Sequence, residues 1–454
     1  MEDTIAAIST PIGEGGIAII RISGSQALAI ADTMFVSTKG LPSTYRSHTI
    51  HLGRVINESR QPLDEVLLTV LRHPYTYTTE DTVEINCHGG RQIARTVLAE
   101  CLQRGARLAE PGEFTKRAFL NGRIDLTQAE AVMDVISAKT DRAHMAAEQA
   151  LEGSLSRKVE KLRQQLLSIL AHVEAHIDFP EEDISPAISG ELEIELTSII
   201  ASLEQLLSTS KEGKILREGI SVAIVGRPNV GKSSLMNALL GTERSIVTAT
   251  PGTTRDTIEE SANIRGIPVK FIDTAGIRKA RGKAEEIGIN KSHNAFIESD
   301  LCIHVLDISR LFSKTDFNLL KRFDKKNVIR VLNKYDLPHK LILPTNIQHI
   351  DALKISTMTG YGIEVLKDRI EKISLNNSPV SFDFEVLINE RHSEALQRAI
   401  KELKLALADI QKNASIEVIS QQIRIGFSII GEIVGKTTTE DLMEKIFSKF
   451  CIGK

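Results

Sequence analysis

The sequence predicts a multidomain chain of α/β plus α class: an N-terminal α+β domain, a helical bundle domain, and a mostly parallel α/β domain inserted into the bundle. Three observations predict it. At 454 residues the chain exceeds what a single hydrophobic core supports, so about two to four domains are expected. The hydrophobic period changes along the chain: short runs give way to long three-and-four spacing after Asp125, to apolar runs alternating with helical segments from Gly219, and to helical spacing again after Pro379. Finally, the apolar run Ile220 to Val225 leads into Gly226-Arg-Pro-Asn-Val-Gly-Lys-Ser233 and then Ser234-Leu-Met-Asn-Ala-Leu-Leu240, a buried strand turning into a helix. The expected boundaries are 1–120, 121–216, 217–378 and 379–454, with the second and fourth segments forming one helical domain.

In chain order, Thr4–Ile8, Ile17–Ile22, Thr49–Ile56, Glu65–Leu71 and Thr82–Cys87 read as strands of an antiparallel or mixed sheet. Helical spacing interrupts them at Gln26–Met34 and at Arg91–Arg104, where Ile93, Val97, Leu98, Cys101 and Leu102 share a face. Between these elements lie polar clusters that strand formation does not require: Gly13-Glu-Gly-Gly16, Thr78-Thr-Glu-Asp81, His88-Gly-Gly90 and Pro111-Gly-Glu-Phe-Thr-Lys-Arg-Ala-Phe-Leu-Asn-Gly122. Turn chemistry alone accounts for such clusters in many chains. Further on, Leu155, Val159, Leu162, Leu166, Ile169 and Val173 form one helical stripe and Leu192, Leu196, Ile199, Leu203 and Leu206 another, with Asp178-Phe-Pro-Glu-Glu-Asp183 as the break. Near the end, Leu396, Ala399, Leu403, Leu407 and Ile410 share a face. A last helix carries Leu442, Ile446, Phe447 and Phe450 behind a Thr437-x-x-Glu440 capping box.

The net charge of −3, from 56 basic and 59 acidic residues, argues against coating nucleic acid by bulk electrostatics and leaves room only for a local basic patch. Four unevenly spaced cysteines, Cys87, Cys101, Cys302 and Cys451, read as reduced thiols of a cytoplasmic protein. No basic leader opens the sequence and no apolar run approaches the roughly 18 residues of a membrane span.

The spacing G-x-x-x-x-G-K-S at a strand-to-helix turn is a phosphate loop: backbone N–H groups wrap the phosphates, Lys232 reaches the β- and γ-phosphates, and Ser233 offers its hydroxyl to Mg²⁺. Downstream, Thr253-Thr-Arg-Asp256 supplies hydroxyls for the metal, and Phe271-Ile-Asp-Thr-Ala-Gly276 brings Asp273 near it with a glycine N–H for the γ-phosphate. Asn333-Lys-Tyr-Asp336 follows the strand Val328–Leu332, and its carboxylate accepts both guanine N1–H and the exocyclic amine, so the nucleotide is GTP rather than ATP. Ser356-Thr-Met358 fits the loop over the base. The GTP contacts expected are therefore Asn229, Val230, Gly231, Lys232, Ser233, Ser234, Thr248, Ala249, Thr250, Pro251, Gly252, Thr253, Thr254, Asp273, Thr274, Ala275, Gly276, Asn333, Lys334, Asp336, Ser356, Thr357 and Met358. After Gly276 stands Ile277, which cannot orient water as the glutamine of Ras-like enzymes does. Asn229 and the carbonyls of Thr248-Ala-Thr-Pro-Gly-Thr253 would line a monovalent-cation site that supplies the missing charge, and Glu285 or Glu286 is in reach of the water.

Across nearly its full length the chain resembles the tRNA-modification GTPases of the MnmE (TrmE) family, on the strength of the motifs at Gly226–Ser233, Pro251–Asp256, Asp273–Gly276, Asn333–Asp336, Pro111–Gly122 and Phe450-Cys-Ile-Gly-Lys454. The first four would also fit Era- and EngA-type GTPases; the last two point to this family. The resemblance implies an N-terminal folate-binding domain that makes a homodimer, a helical domain, and an inserted Ras-like P-loop GTPase domain activated by potassium-dependent dimerisation. It implies Asn229, Thr248, Thr250 and Thr253 as K⁺ ligands, Ser233 and Thr254 as Mg²⁺ ligands, and Glu285 as the residue that orients water. Folate residues carry over as Arg21, Glu80, Arg123 and Lys454, with arginine at 123 where relatives often have lysine. Cys451 is implied to lie near the folate with a catalytic role, and because Gly453 is not aliphatic a lipidation motif is excluded. The implied function is GTP-dependent formation of a 5-aminomethyl or 5-carboxymethylaminomethyl group on the wobble uridine of certain tRNAs. It uses a tetrahydrofolate one-carbon unit (5,10-methylene form, with the 5-formyl form as stable analogue) and a flavin-dependent partner, MnmG (GidA). The competing reading is a ribosome-assembly-type GTPase switch without tRNA chemistry, and the N-terminal cluster and Cys451 favour the first.

Overall fold

The computed structural model describes residues 3–11, 13–178, 186–241, 260–272, 296–322, 327–344, 351–375, 386, 388–412 and 414–454. The chain divides into two compact units, one made of Met1–Met133, Ser156–Glu174 and Ser420–Lys454, the other of Asp134–Leu155 and Ala175–Ile419.

The first unit is built on seven strands: β1 (Ile5–Ile8), β2 (Ile17–Ser23), β3 (Phe35–Val36), β4 (Thr49–Ile56), β5 (Pro62–Leu71), β6 (Thr82–His88) and β7 (Arg107–Leu108), ordered β3-β4-β5-β6-β2-β1-β7. All pairs are antiparallel except β1 with β7. Alternation along β2, β5 and β6 sends Ile20, Ile22, Val66, Leu68, Val70, Val83 and Ile85 to one face, where α1 (Ala27–Met34) and α2 (Arg91–Gln103) cover them. The opposite face is covered at β1, where Ile5 and Ala7 pack with Phe114, and is open elsewhere, with Ile17, Ile50, Leu52 and Leu67 exposed. Next, α3 (Glu113–Leu120) starts at Gly112, whose φ of 68° favours glycine and whose missing Cβ leaves room for the Phe447 carbonyl and the Phe450 ring.

Helices follow in sequence: α4 (Leu126–Ser137), α5 (Asp141–Leu151), α6 (Ser154–Asp178), α7 (Pro186–Ser208) and α8 (Ser210–Glu218). Both predicted stripes are buried, from Leu155 to Val173 on α6 and from Leu192 to Leu206 on α7. Most of the predicted break after Asp178 lies outside the described residues.

The second unit carries the inserted sheet. Its elements are β8 (Ile220–Val225), α9 (Lys232–Leu240), β9 (Glu260–Ile264), β10 (Ile267–Ile272), β11 (Leu301–Asp307), α10 (Lys314–Arg322), β12 (Val328–Asn333), β13 (Ala352–Lys354) and α11 (Ile363–Ser374). The order β13-β12-β11-β8-β10-β9 is parallel except for the β9–β10 hairpin, which turns on Arg265 and Gly266, both at positive φ. That hairpin is gripped by the start of α5: Thr140 Oγ1 donates to Gly266 O at 2.8 Å, and Arg142 Nη1 donates to Arg265 O at 2.9 Å and to Glu371 at 2.8 Å.

The chain ends in α12 (Glu390–Gln411), α13 (Ile416–Val434) and α14 (Glu440–Phe447). Two sequence expectations are corrected here. On α12 the buried position is Ala406, while Leu407 is half-buried, because the face turns by 3.6 residues per turn and slips past an exact four-residue step. On α14 the cap is Thr439, whose hydroxyl accepts the Leu442 N–H, because the helix starts at Glu440; Thr437 lies two residues before the cap and donates to Ser428 O at 2.8 Å.

Candidate functional site

The phosphate loop leaves β8 where the neighbouring strands diverge, β11 on one side and β10 on the other, which is the crevice in which open α/β sheets bind ligands. Three backbone positions there have positive φ: Gly226 at 150°, Asn229 at 63° and Gly231 at 101°. A Cβ at Gly226 would strike the Val305 carbonyl, and one at Gly231 would strike Asn333 Nδ2, so a side chain at either position strains the backbone and forces a neighbour to move. Lys232 opens α9, and its Nζ donates to the loop's own carbonyls at Gly226 (2.9 Å) and Arg227 (2.8 Å). Burial lowers its pKa from the ordinary lysine value, so the ammonium is short of counter-charge and suited to receive phosphate.

The guanine motif is tied to this loop. Asn333 Nδ2 donates to Val230 O at 2.9 Å, and Lys334 Nζ donates to Asn229 O at 3.0 Å. Ser356 Oγ donates to Asp336 Oδ1 at 2.5 Å, and the Thr357 N–H reaches Asn333 Oδ1 at 3.3 Å, so three of the predicted motifs converge. Asp336, Ser234 and Asn229 are exposed, and Met358 is 87% exposed. Ser233 is half-buried in the first turn of α9. The remaining nucleotide and metal expectations, Thr248, Ala249, Thr250, Pro251, Gly252, Thr253, Thr254, Asp273, Thr274, Ala275, Gly276 and Glu285, lie outside the described residues.

Two further residues emerge that the motif reading missed. Asp307, at the end of the wholly buried β11, accepts Lys334 Nζ at 2.6 Å. Burial pushes its carboxyl up, but the bonds from Lys334 and Ser309 outweigh this and keep it below the ordinary carboxylate range. Arg227 pairs at 2.9 Å with Asp316, which also accepts from Ser313 before α10. A carboxylate ending an apolar strand, as in Leu306-Asp307, was the available signal for the first; nothing local signals the second.

The N-terminal site residues surround Tyr77. The guanidinium of Arg21 lies 5.9 Å from the Tyr77 ring centroid and that of Arg123 lies 4.9 Å from it, and Arg123 Nη1 donates to Tyr77 O. Arg21 also pairs with Glu84 at 2.8 Å. A cavity of about 600 Å³ opens beside them, lined by His48, Tyr75, Tyr77, Thr79, Asn121 and Arg123 among others. Glu80 is fixed by Arg117 Nη1 at 3.1 Å and Ser23 Oγ at 2.7 Å. The terminal Cys451-Ile-Gly-Lys454 docks by its backbone: the Gly112 N–H reaches Cys451 O at 3.3 Å, and Gly453, at φ 95°, packs on the Ile8 carbonyl, bringing Lys454 to β1. Cys451 is exposed, whereas Cys87, Cys101 and Cys302 are buried. Burial pushes the Cys87 and Cys101 thiols up to about 11 and about 12, which removes both as nucleophiles.

A Ras-like sheet ending in this cradle and carrying two further domains defines a multidomain P-loop GTPase. The TrmE N-terminal family matches residues 4–123 and the MnmE helical-domain family residues 126–451. Along its full length the chain is 46% identical to the tRNA modification GTPase MnmE of Clostridioides difficile, and 45% identical to that of Bacillus subtilis, with 100% of each relative covered. The chain belongs to the MnmE family. A solved G domain of the T. maritima FeoB iron transporter is similar over 34% of this chain and 97% of its own, at 28% identity, but its TM-score of 0.26 is too low to add to that.

Proposed function

We propose that this chain is a GTP hydrolase that modifies tRNA. With a flavin-dependent MnmG partner it forms the 5-aminomethyl or 5-carboxymethylaminomethyl group on a wobble uridine, taking the carbon from a tetrahydrofolate. The observation that carries the nucleotide half is the bridge in which Lys334 joins Asp307 to the Asn229 carbonyl, since it ties guanine recognition to the phosphate cradle. The relatives' shared name carries the tRNA half.

The finer assignments belong to this reading. GTP sits on the cradle residues, with Ser233 and Thr254 holding Mg²⁺. Asn229, exposed and in a left-handed backbone conformation, faces a K⁺ held with Thr248, Thr250 and Thr253, and Glu285 orients the water. A folate is held by Arg21, Glu80, Arg123 and Lys454: the residues fit, with a carboxylate for the pterin's N–H donor edge and cations for the glutamate carboxylates. Cys451, the one exposed thiol among the described residues, acts near it. The domains are 1–120, 121–216 with 379–454, and 217–378. The open face of β4 and β5, bearing Ile50, Leu52 and Leu67, suits a homodimer contact. No helix among the described residues is long and apolar enough to cross a membrane, in keeping with a cytoplasmic site of action.

The test compares GTP hydrolysis in K⁺ and Na⁺ with the Glu285→Ala variant alongside, and analyses wobble uridine after gene loss. Faster hydrolysis in K⁺, loss of rate in the variant and unmodified uridine are expected. Equal rates in both salts defeat the cation assignment, and intact uridine modification defeats the tRNA assignment in favour of a switch GTPase.

A further inference from the structure

Within the Pro111–Gly122 motif the N-terminal unit buries an arginine to which no role has yet been given. Arg117, on the inward side of α3, is 1% exposed. Such burial is tolerated only where charges and hydrogen bonds compensate. Its Nη1 donates to Asp3 O at 2.9 Å and to both oxygens of Glu80 at 3.1 and 3.3 Å; its Nη2 donates to Asp3 Oδ1 at 2.8 Å and Glu113 Oε1 at 3.1 Å. Arg107 meets the same Asp3 and Glu113 from the other side.

Among the described residues, two guanidiniums, Arg107 and Arg117, face three carboxylates, Asp3, Glu80 and Glu113. Asp3 and Glu113 each touch both guanidiniums, whereas Glu80 touches Arg117 alone. Glu80 is thus the carboxylate of this cluster with a single guanidinium partner among the described residues, and its side chain is 14% exposed. Glu80 is also the end of a buried hydroxyl chain. Ser23 Oγ donates to Glu80 Oε2 at 2.7 Å, so its single proton is committed and the 2.6 Å contact with Thr78 must run from the Thr78 hydroxyl to Ser23. Ser23 and Thr78 are completely buried.

We propose that Arg117 and Ser23 are the positioning residues of the folate site, an inference that rests on the folate reading above. Arg117 and Ser23 hold Glu80 as an oriented, partly exposed acceptor that suits a ligand with adjacent N–H donors, the 2-amino group and ring N–H of a 2-aminopyrimidinone. Lysine cannot substitute for the arginine, because one ammonium cannot reach Asp3, Glu80 and Glu113 in the planar fork that a guanidinium provides.

The test measures binding of 5-formyltetrahydrofolate and of its 2-desamino counterpart to the full chain, unaltered and as Arg117→Lys and Ser23→Ala. A bond between an amine donor and a charged acceptor predicts that the unaltered chain prefers the amino compound by roughly 10- to 100-fold. In Arg117→Lys that ratio falls to about 1, and in Ser23→Ala it falls several-fold, as expected for loss of one hydrogen bond to the carboxylate. A merely structural role lowers affinity for both compounds together and keeps the ratio, which overturns the proposal. Should Arg117→Lys not fold, Ser23→Ala decides by the same ratio, since it removes one oxygen and no charge. If the unaltered chain binds neither compound, the folate reading itself fails.

Discussion

The nucleotide cradle and the Glu80–Arg117 cluster both hold charge in place, by opposite means. In the cradle the atoms that set the geometry are largely backbone: Lys232, Asn333 and Lys334 all donate to carbonyls of the loop from Gly226 to Val230, and the loop's path depends on two glycines. In the cluster they are side-chain charges drawn from residues 3, 80, 107, 113 and 117. A backbone-built site fails where a Cβ intrudes; a charge-built site fails where one partner leaves. Different substitutions and different conditions should therefore break the two.

The largest effect is expected from Arg117→Met, which strips three carboxylates of a shared partner and should cost the N-terminal unit about 3–5 kcal/mol in urea unfolding. A loss below about 1 kcal/mol would mean that the cluster is not charge-built. Next comes acid. Beneath the cradle, burial and the nearby Arg330, against a smaller pull from Asp316, lower His304 on β11 to about 4. Its folded pKa lies below its unfolded value of about 6.5, so between these values the unfolded chain binds the extra proton and stability falls as pH drops, on the order of 3 kcal/mol by pH 4. In the cluster, burial raises Glu113, but hydrogen bonds from Arg107, the Glu110 N–H and Arg117 outweigh it and leave it below the ordinary carboxylate range. That stabilisation is present above about pH 4 and is lost only as pH falls further. Unfolding midpoints followed separately for the two units at pH 7, 5 and 3.5 should show the inserted sheet weakening first, and His304→Asn should flatten its slope. The smallest effect is Gly231→Ala, about 1–3 kcal/mol of local strain from a side chain at positive φ; calorimetry should find nucleotide affinity falling with it while the N-terminal unit keeps its midpoint.

The same contrast explains what could be read from sequence. Backbone geometry needs glycine at fixed local spacing, so Gly226–Ser233 was legible, as were the strands at Thr49–Ile56 and Val328–Asn333, whose alternation or apolar run is local too. Glu80 came as a site residue only through family resemblance, and Arg117 was singled out only as part of the Pro111–Gly122 motif, its role unread because, Glu113 apart, its partners lie 37 and 114 residues away along the chain. Thr437 was mistaken for a cap for a related reason: three consecutive threonines offer the same chemistry, and only the start of the helix at Glu440 decides that the third of them caps it.

The grip of Thr140 and Arg142 on the Arg265–Gly266 turn has a thermodynamic consequence. In the sequence the hairpin lies between the two segments expected to carry the metal-binding threonines and Asp273. Coupling between two sites is reciprocal by necessity. Whatever factor a nucleotide applies to the resting position of α5 by displacing this hairpin, a restraint on α5 returns to nucleotide affinity undiminished. If that factor differs from one, a protein that clasped α5 would change nucleotide affinity by the same factor without touching a single cradle residue.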